Sequence, residues 1–161
     1  MIDFEGLIRR LRDGDVRFVL VGGFASTVHG SPRITVDLDI VYARDEGNLT
    51  RLALALEPLS PYLRGAPAGL PFRLDVPTLT RGLNFTLTTA MGDLDLLGEV
   101  AGGGTYEHLI RQTNHIRVFD MEVEVVTLSQ LIRLKRAAGR PKDLEALAEL
   151  EALLEEQRRE T

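Results

Sequence analysis

Apolar residues first recur at helical spacing, with Ile2, Leu7, Ile8 and Leu11 marking one side of a helix over residues 2–13 that Gly14 ends. A continuous apolar run follows. Phe18-Val19-Leu20-Val21 reads as a buried strand, Gly22-Gly23 as a tight turn, and Phe24 to His29 as a short helix closed by Gly30. Beyond Ser31-Pro32, residues Thr35 to Ala43 alternate Val36, Leu38, Ile40 and Tyr42 with Asp37, Asp39 and Val41, the two-residue period of a strand. Asp37 and Asp39 therefore stand side by side on one face. Leu49, Leu52, Ala53 and Leu56 return to helical spacing and predict a helix over about residues 45–57.

Five of the seven prolines then fall between Pro58 and Pro77, together with Gly65 and Gly69, a composition that predicts a long structured loop. Leu83–Thr89 and Asp93–Val100 predict two strands joined by a turn at Ala90-Met91-Gly92, the second presenting Asp93 and Asp95 on one side. Gly102-Gly103-Gly104 leads into a short helix through Tyr106, Leu109 and Ile110. His115–Phe119 and Glu122–Val126 read as a hairpin with its turn at Asp120-Met121. Two helices close the chain, one over Leu128–Ala138 and one from Pro141, a residue suited to a first helical turn. Leu144, Leu147, Leu150 and Leu154 form a row on the last helix that is expected to pack on the chain's own core. This mixture of strands and helices predicts an α/β fold of the α+β type.

The 161 residues fit one domain, with a core over about 16–127 and C-terminal helices over about 128–158. A hydrophobic fraction of 44% and a charged fraction of 27% exclude a disordered or fibrous chain. No apolar run approaches the roughly 20 residues of a membrane-spanning helix, and Met1-Ile2-Asp3-Phe4-Glu5 lacks the pattern of a signal peptide, so no membrane association and a cytoplasmic location are expected. The absence of cysteine leaves oxygen or imidazole as the only ligands for a metal. A net charge of −5, much of it on Glu145, Glu149, Glu151, Glu155 and Glu156, argues against indiscriminate nucleic-acid binding.

Chemistry enters through the acids taken as a set. Asp37 and Asp39 share one strand face, and a later strand offers Asp93 and Asp95 in the same alternation. Crowded carboxylates repel unless a cation lies among them, and Mg²⁺ takes a few carboxylates while keeping positions for water and phosphate. A phosphate-handling metal site follows. The chain has neither the G-x-G-x-x-G spacing of a dinucleotide fold nor a P-loop, and His29, His108 and His115 lack zinc-ligand spacing.

Leu20-Val21-Gly22-Gly23, thirteen residues, then Asp37-Leu38-Asp39-Ile40 resembles the glycine turn and paired-aspartate signature of the DNA polymerase beta superfamily of nucleotidyltransferases. The resemblance extends over residues 16–150. It takes in Pro32-Arg33-Ile34-Thr35-Val36, Gly92-Asp93-Leu94-Asp95-Leu96-Leu97, and the segments Leu131–Lys135 and Gly139–Leu144, which are similar to the closing helices of small bacterial members, including those of toxin–antitoxin and abortive-infection systems. It implies a nucleotidyltransferase-like mixed sheet flanked by helices. It also implies two Mg²⁺ ions bridged by Asp37 and Asp39, with Asp95 completing the ion nearer the attacking hydroxyl and Asp93 as the rival for that third place.

The reaction so implied moves a nucleoside monophosphate from a nucleoside triphosphate to an acceptor hydroxyl on an RNA end, a protein side chain or a small molecule. Gly22 and Gly23 would bring backbone N–H groups to the phosphates. Ser26 would add a hydroxyl, and Arg33 and Lys135 would supply the cationic contacts. Arg140, Lys142 and Asp143 are read instead as capping and ion-pairing residues of the last helix. A homodimer or a toxin–antitoxin partner is expected to complete the cleft. The alternative from another class is a catalytically silent nucleotidyltransferase-like binding protein acting through a partner.

Overall fold

A computed structural model describes residues 1–161. Helix α1 (Phe4–Asp13) starts two residues later than its apolar pattern predicts, because the Asp3 side chain accepts a hydrogen bond from the Gly6 N–H at 2.8 Å and caps the helix. Ile2 is left outside. Leu7, Ile8 and Leu11 are fully buried, so α1 packs into the hydrophobic core.

Strand β1 (Phe18–Val21) is buried along its whole length and runs straight into α2 (Gly22–Val28). The two glycines expected to form a turn are instead the first residues of that helix. Strand β2 (Asp37–Tyr42) pairs antiparallel with β1, and α3 (Glu46–Leu56) follows under an Asp45 cap.

The proline-rich stretch is more regular than its composition predicts. It holds a turn of 3-10 helix at Glu57–Leu59, a two-residue strand β3 (Tyr62–Leu63), and helix α4 (Val76–Arg81), capped by Asp75 with Pro77 in its first turn. Pro58 and Pro77 sit in the first turns of these two helices, where a missing N–H does no harm.

Strands β4 (Phe85–Thr89) and β5 (Gly92–Leu97) form the expected hairpin. A small ribbon of β6 (Glu99–Val100) and β7 (Gly104–Thr105) precedes α5 (Tyr106–Leu109), and β8 (Thr113–Val118) with β9 (Met121–Val126) makes the second hairpin. Helices α6 (Leu128–Ala138) and α7 (Pro141–Glu160) pack together at the end of the chain. Of the leucine row on α7, Leu150 is buried and Leu147 and Leu154 are partly so, but Leu144 is exposed. The main sheet has seven strands in the order β3-β4-β5-β2-β1-β9-β8, with β2–β5 and β1–β9 parallel and the remaining pairs antiparallel. No helix is long and apolar enough to cross a membrane.

One buried polar side chain ties the strand ends together. Asn48, with no exposed surface, accepts from the Arg17 N–H at 2.7 Å and donates to the carbonyls of Arg17 and Ala43 at 3.1 and 2.7 Å. It thus bridges the start of β1 to the end of β2. Replacing it by alanine takes the partner from the Arg17 N–H and the Ala43 carbonyl, while the Arg17 carbonyl keeps the Ala43 N–H at 3.2 Å. We expect Asn48→Ala to cost about 2–3 kcal/mol in urea unfolding, whereas a loss below about 0.5 kcal/mol would show the bridge to be unimportant.

Candidate active site

The parallel register of β2 and β5 sets Asp37 opposite Asp93 and Asp39 opposite Asp95. All four share one sheet face by strand parity. Within this group the carboxylates of Asp37, Asp39 and Asp95 converge, each offering an oxygen, with the three oxygens within 4.8 Å of one another. Asp93 falls outside that cluster and turns toward Arg64.

The antiparallel partner of Asp39 on the other side is Val21, the last residue of β1, so α2 begins beside the acids. Gly22 there has φ +71, and a Cβ on it would come within 2.0 Å of Asp39 Oδ2. Its role is to make room for that carboxylate. A Cβ on Gly23 would likewise meet Thr35 Oγ1 at 2.6 Å. Ser26 is buried one turn on, its hydroxyl donating to the Gly22 carbonyl at 3.4 Å.

Facing the acids across a cavity of about 490 Å³ are residues of α6 and α7, among them Lys135, Arg140 and Lys142. Lys135 Nζ lies 3.7 Å from Asp143, a carboxylate only 1% exposed. Arg140 grips the same carboxylate through two nitrogens at 2.6 and 3.2 Å, and the Asp143 side chain in turn accepts from the Arg140 backbone N–H. Burial would raise the pKa of Asp143, but the hydrogen bonds and charge of Arg140, with the charge of Lys135, hold it below the usual carboxylate range. The reading of Arg140 and Asp143 as the device that starts the last helix is therefore visible in the structure as a reciprocal cap.

Arg33 lines the same cavity but is already engaged. Its Nε lies 2.9 Å from Glu149 and its NH2 donates to the Glu145 carbonyl at 3.2 Å, which clamps residues 31–33 to α7. Ser31 donates to Glu149 at 3.0 Å and reinforces the clamp.

Arg64 was not anticipated. It directly follows β3, donates through NH2 to Asp95 Oδ1 at 2.8 Å, and lies 3.2 Å from Asp93 and 3.9 Å from Asp37. The only signal for it is the short run Tyr62-Leu63-Arg64 between Pro61 and Gly65.

Crowding leaves its mark on proton affinity. Asp39 has its pKa pushed up to about 8, first by burial, then by a hydrogen bond with Asp95 and the negative charges of Asp37 and Asp95. Asp37 is raised as well, by burial first and the charge of Asp95 second, against the pull of Arg64 and Lys142. A cluster of hard oxygen donors that can lose its mutual repulsion only by holding a proton or a cation fits a divalent ion such as Mg²⁺.

These features define the fold of nucleotidyltransferases, with an acidic cluster at the junction of β1, β2 and β5. No protein-family profile and no curated protein sequence matches the chain. Solved structures do share its fold. One is a Thermotoga maritima protein described provisionally as a nucleotidyltransferase, at 16% identity, covering 92% of this chain and 94% of its own, with a TM-score of 0.58. The lincosamide antibiotic adenylyltransferase LnuA, bound to lincomycin, aligns at 13% identity over 94% of this chain and 98% of its own, with a TM-score of 0.61. ANT(2")-Ia, in complex with adenylyl-2"-tobramycin, aligns at 13% identity over 97% and 95%, with a TM-score of 0.53.

The raised pKa of Asp39 makes stability depend on pH in a definite direction. The folded chain keeps a proton on Asp39 up to about pH 8, whereas the unfolded chain releases it near pH 3.9. This contribution is complete below about pH 4 and is lost as pH rises through about 8. In metal-free buffer, the urea midpoint is therefore expected to fall between pH 5 and 8.5, and to fall less in Asp39→Asn; parallel curves for the two proteins would refute this.

Proposed function

We propose that the protein is a Mg²⁺-dependent nucleotidyltransferase that transfers a nucleoside monophosphate from a nucleoside triphosphate to the hydroxyl of a small acceptor. The observation carrying this reading is the convergence of Asp37, Asp39 and Asp95 opposite the cationic wall of α6 and α7. In the reaction the acceptor oxygen forms a bond to the α-phosphorus, the hydroxyl proton is lost, and the bond to the β-phosphate oxygen breaks to release pyrophosphate.

Asp37, Asp39 and Asp95 would hold the metal, with two ions as the expected number. When bound, Mg²⁺ lowers the pKa of the acceptor hydroxyl and neutralises the charge growing on pyrophosphate. Gly22 and Gly23 keep the wall beside the acids free of side chains, and Ser26 lies behind them. Lys135, helped by Arg140 and Lys142, offers positive charge to the triphosphate. Arg33 acts mainly by fixing the loop before β2, since Glu149 already neutralises it.

A small acceptor is favoured over an RNA end by the modest cavity and by the net charge of −5, which does not attract a polyanion. The antibiotic acceptors of LnuA and ANT(2")-Ia are consistent with that class.

A second reading, a catalytically silent binding module, draws on Arg64, whose charge already offsets part of the cluster. Labelled nucleoside triphosphates, Mg²⁺ and a panel of hydroxylated small molecules, RNA and proteins separate the two. We expect mass spectrometry to find a nucleoside monophosphate adduct on a small molecule. The double variant Asp37→Ala, Asp39→Ala should lose at least about a thousandfold in rate, or about 4 kcal/mol of transition-state stabilisation. Equal labelling by that variant would defeat catalysis at this site, and the absence of any adduct across the panel would favour the silent module.

A further inference from the structure

Arg64 stands at the end of a row that crosses the sheet. Its backbone N–H donates to the Thr86 carbonyl at 3.0 Å, Thr86 pairs with Asp95, and Asp95 pairs with Asp39. The guanidinium is held in place by a second bond, from NH2 to the Leu87 carbonyl at 2.7 Å, and its side chain is only 27% exposed. It is the one cation in ion-pair contact with the carboxylates of β2 and β5. Lys135 and Arg140 are occupied by Asp143 instead.

Resting on the metal-binding reading above, we propose that Arg64 is an internal competitor for the acidic cluster: it holds Asp95 Oδ1 and lowers the affinity of the three carboxylates for a free divalent cation. A guanidinium and a metal ion both draw on the same negative charge, and two cations a few ångströms apart repel. The planar fork of arginine suits it to hold one oxygen of Asp95 while reaching Asp93 and Asp37, which a lysine's single ammonium cannot do. Arg64 thereby also restricts Asp95 to its other oxygen when an ion arrives. It is a positioning residue, acting through Asp95. A plain strut for the edge strand β3 would be expected to change stability and leave ion affinity alone.

The probe is Mn²⁺ alone, with no nucleotide, titrated into the full chain by calorimetry and followed by the electron paramagnetic resonance of free Mn²⁺. Arg64→Gln should bind Mn²⁺ at least about tenfold tighter than the natural protein, and Arg64→Lys, which keeps the charge, should remain closer to the natural value. Equal or weaker binding by Arg64→Gln, with circular dichroism showing a folded chain, overturns the proposal. Should Arg64→Gln fail to fold, the unsubstituted protein still decides the matter. Its Arg64 Nε–H resonance is expected to shift on adding Mg²⁺, and not to shift in the double variant Asp37→Asn, Asp39→Asn; an unmoved resonance overturns the proposal.

The same titrations separate the two levels of the argument. Mn²⁺ binding that depends on Asp37 and Asp39 but is equal with and without Arg64 defeats this inference alone. Absence of any such binding in both proteins defeats the metal-binding reading and this inference with it.

Discussion

The parallel pairing of β2 with β5 brings four carboxylates into two adjacent ranks, Asp37 beside Asp93 and Asp39 beside Asp95. Like charges this close are unfavourable, and the more so as Asp37, Asp39 and Asp95 are all partly withdrawn from water. The surrounding structure answers that constraint from several directions. Arg64 comes in from the edge of the sheet, Asp39 retains a proton in the absence of a cation, and Lys135, Arg140 and Lys142 face the cluster from α6 and α7. The strong β2–β5 ladder, packed through Leu38, Ile40, Leu94 and Leu96 on its other face, supplies the burial that keeps the acids together despite their repulsion.

The cationic side is built with equal economy of means. Asp143 is almost wholly buried, yet it holds two positive side chains and the first turn of α7. A buried carboxylate with this many partners is costly to disturb, because removing one partner leaves charge unpaired away from water. The direction in which Lys135 and Arg140 present their charge is therefore set by the same contact that docks α7 on α6. Gly22 does the corresponding task on the other wall: its φ of +71 suits glycine, and Asp39 occupies the space that a Cβ would need.

Most of the strands and helices were legible in periodicity alone, since the two-residue and 3.6-residue patterns are local properties of the chain. The pairing of Asp37 with Asp39 came from parity within one strand. The choice between Asp93 and Asp95 did not, because it depends on the register between strands more than fifty residues apart in sequence, and only that register places Asp95 beside Asp39 and Asp93 beside Arg64. The pairing of Arg33 with Glu149 was out of reach for the same reason, since the two lie 116 residues apart. The proline-rich segment hid both β3 and α4. A strand of two residues is too short to show a period, and the cap and first-turn proline of α4, Asp75 and Pro77, were lost among the other prolines.

That segment has a physical reason to be stiff. An arginine side chain loses about 2 kcal/mol of rotamer freedom when held in one geometry, and one carried on a flexible loop would lose backbone freedom as well. Pro58 and Pro61 limit the unfolded chain's conformations just ahead of Arg64, so less is lost on ordering it. Two backbone carbonyls, of Thr86 and Leu87, then fix its position from the neighbouring strand. A guanidinium held this way remains beside the acids while the charge on them changes. Part of the negative charge of the cluster is consequently offset from within the chain itself, by a guanidinium whose place is set by the backbone of the neighbouring strand.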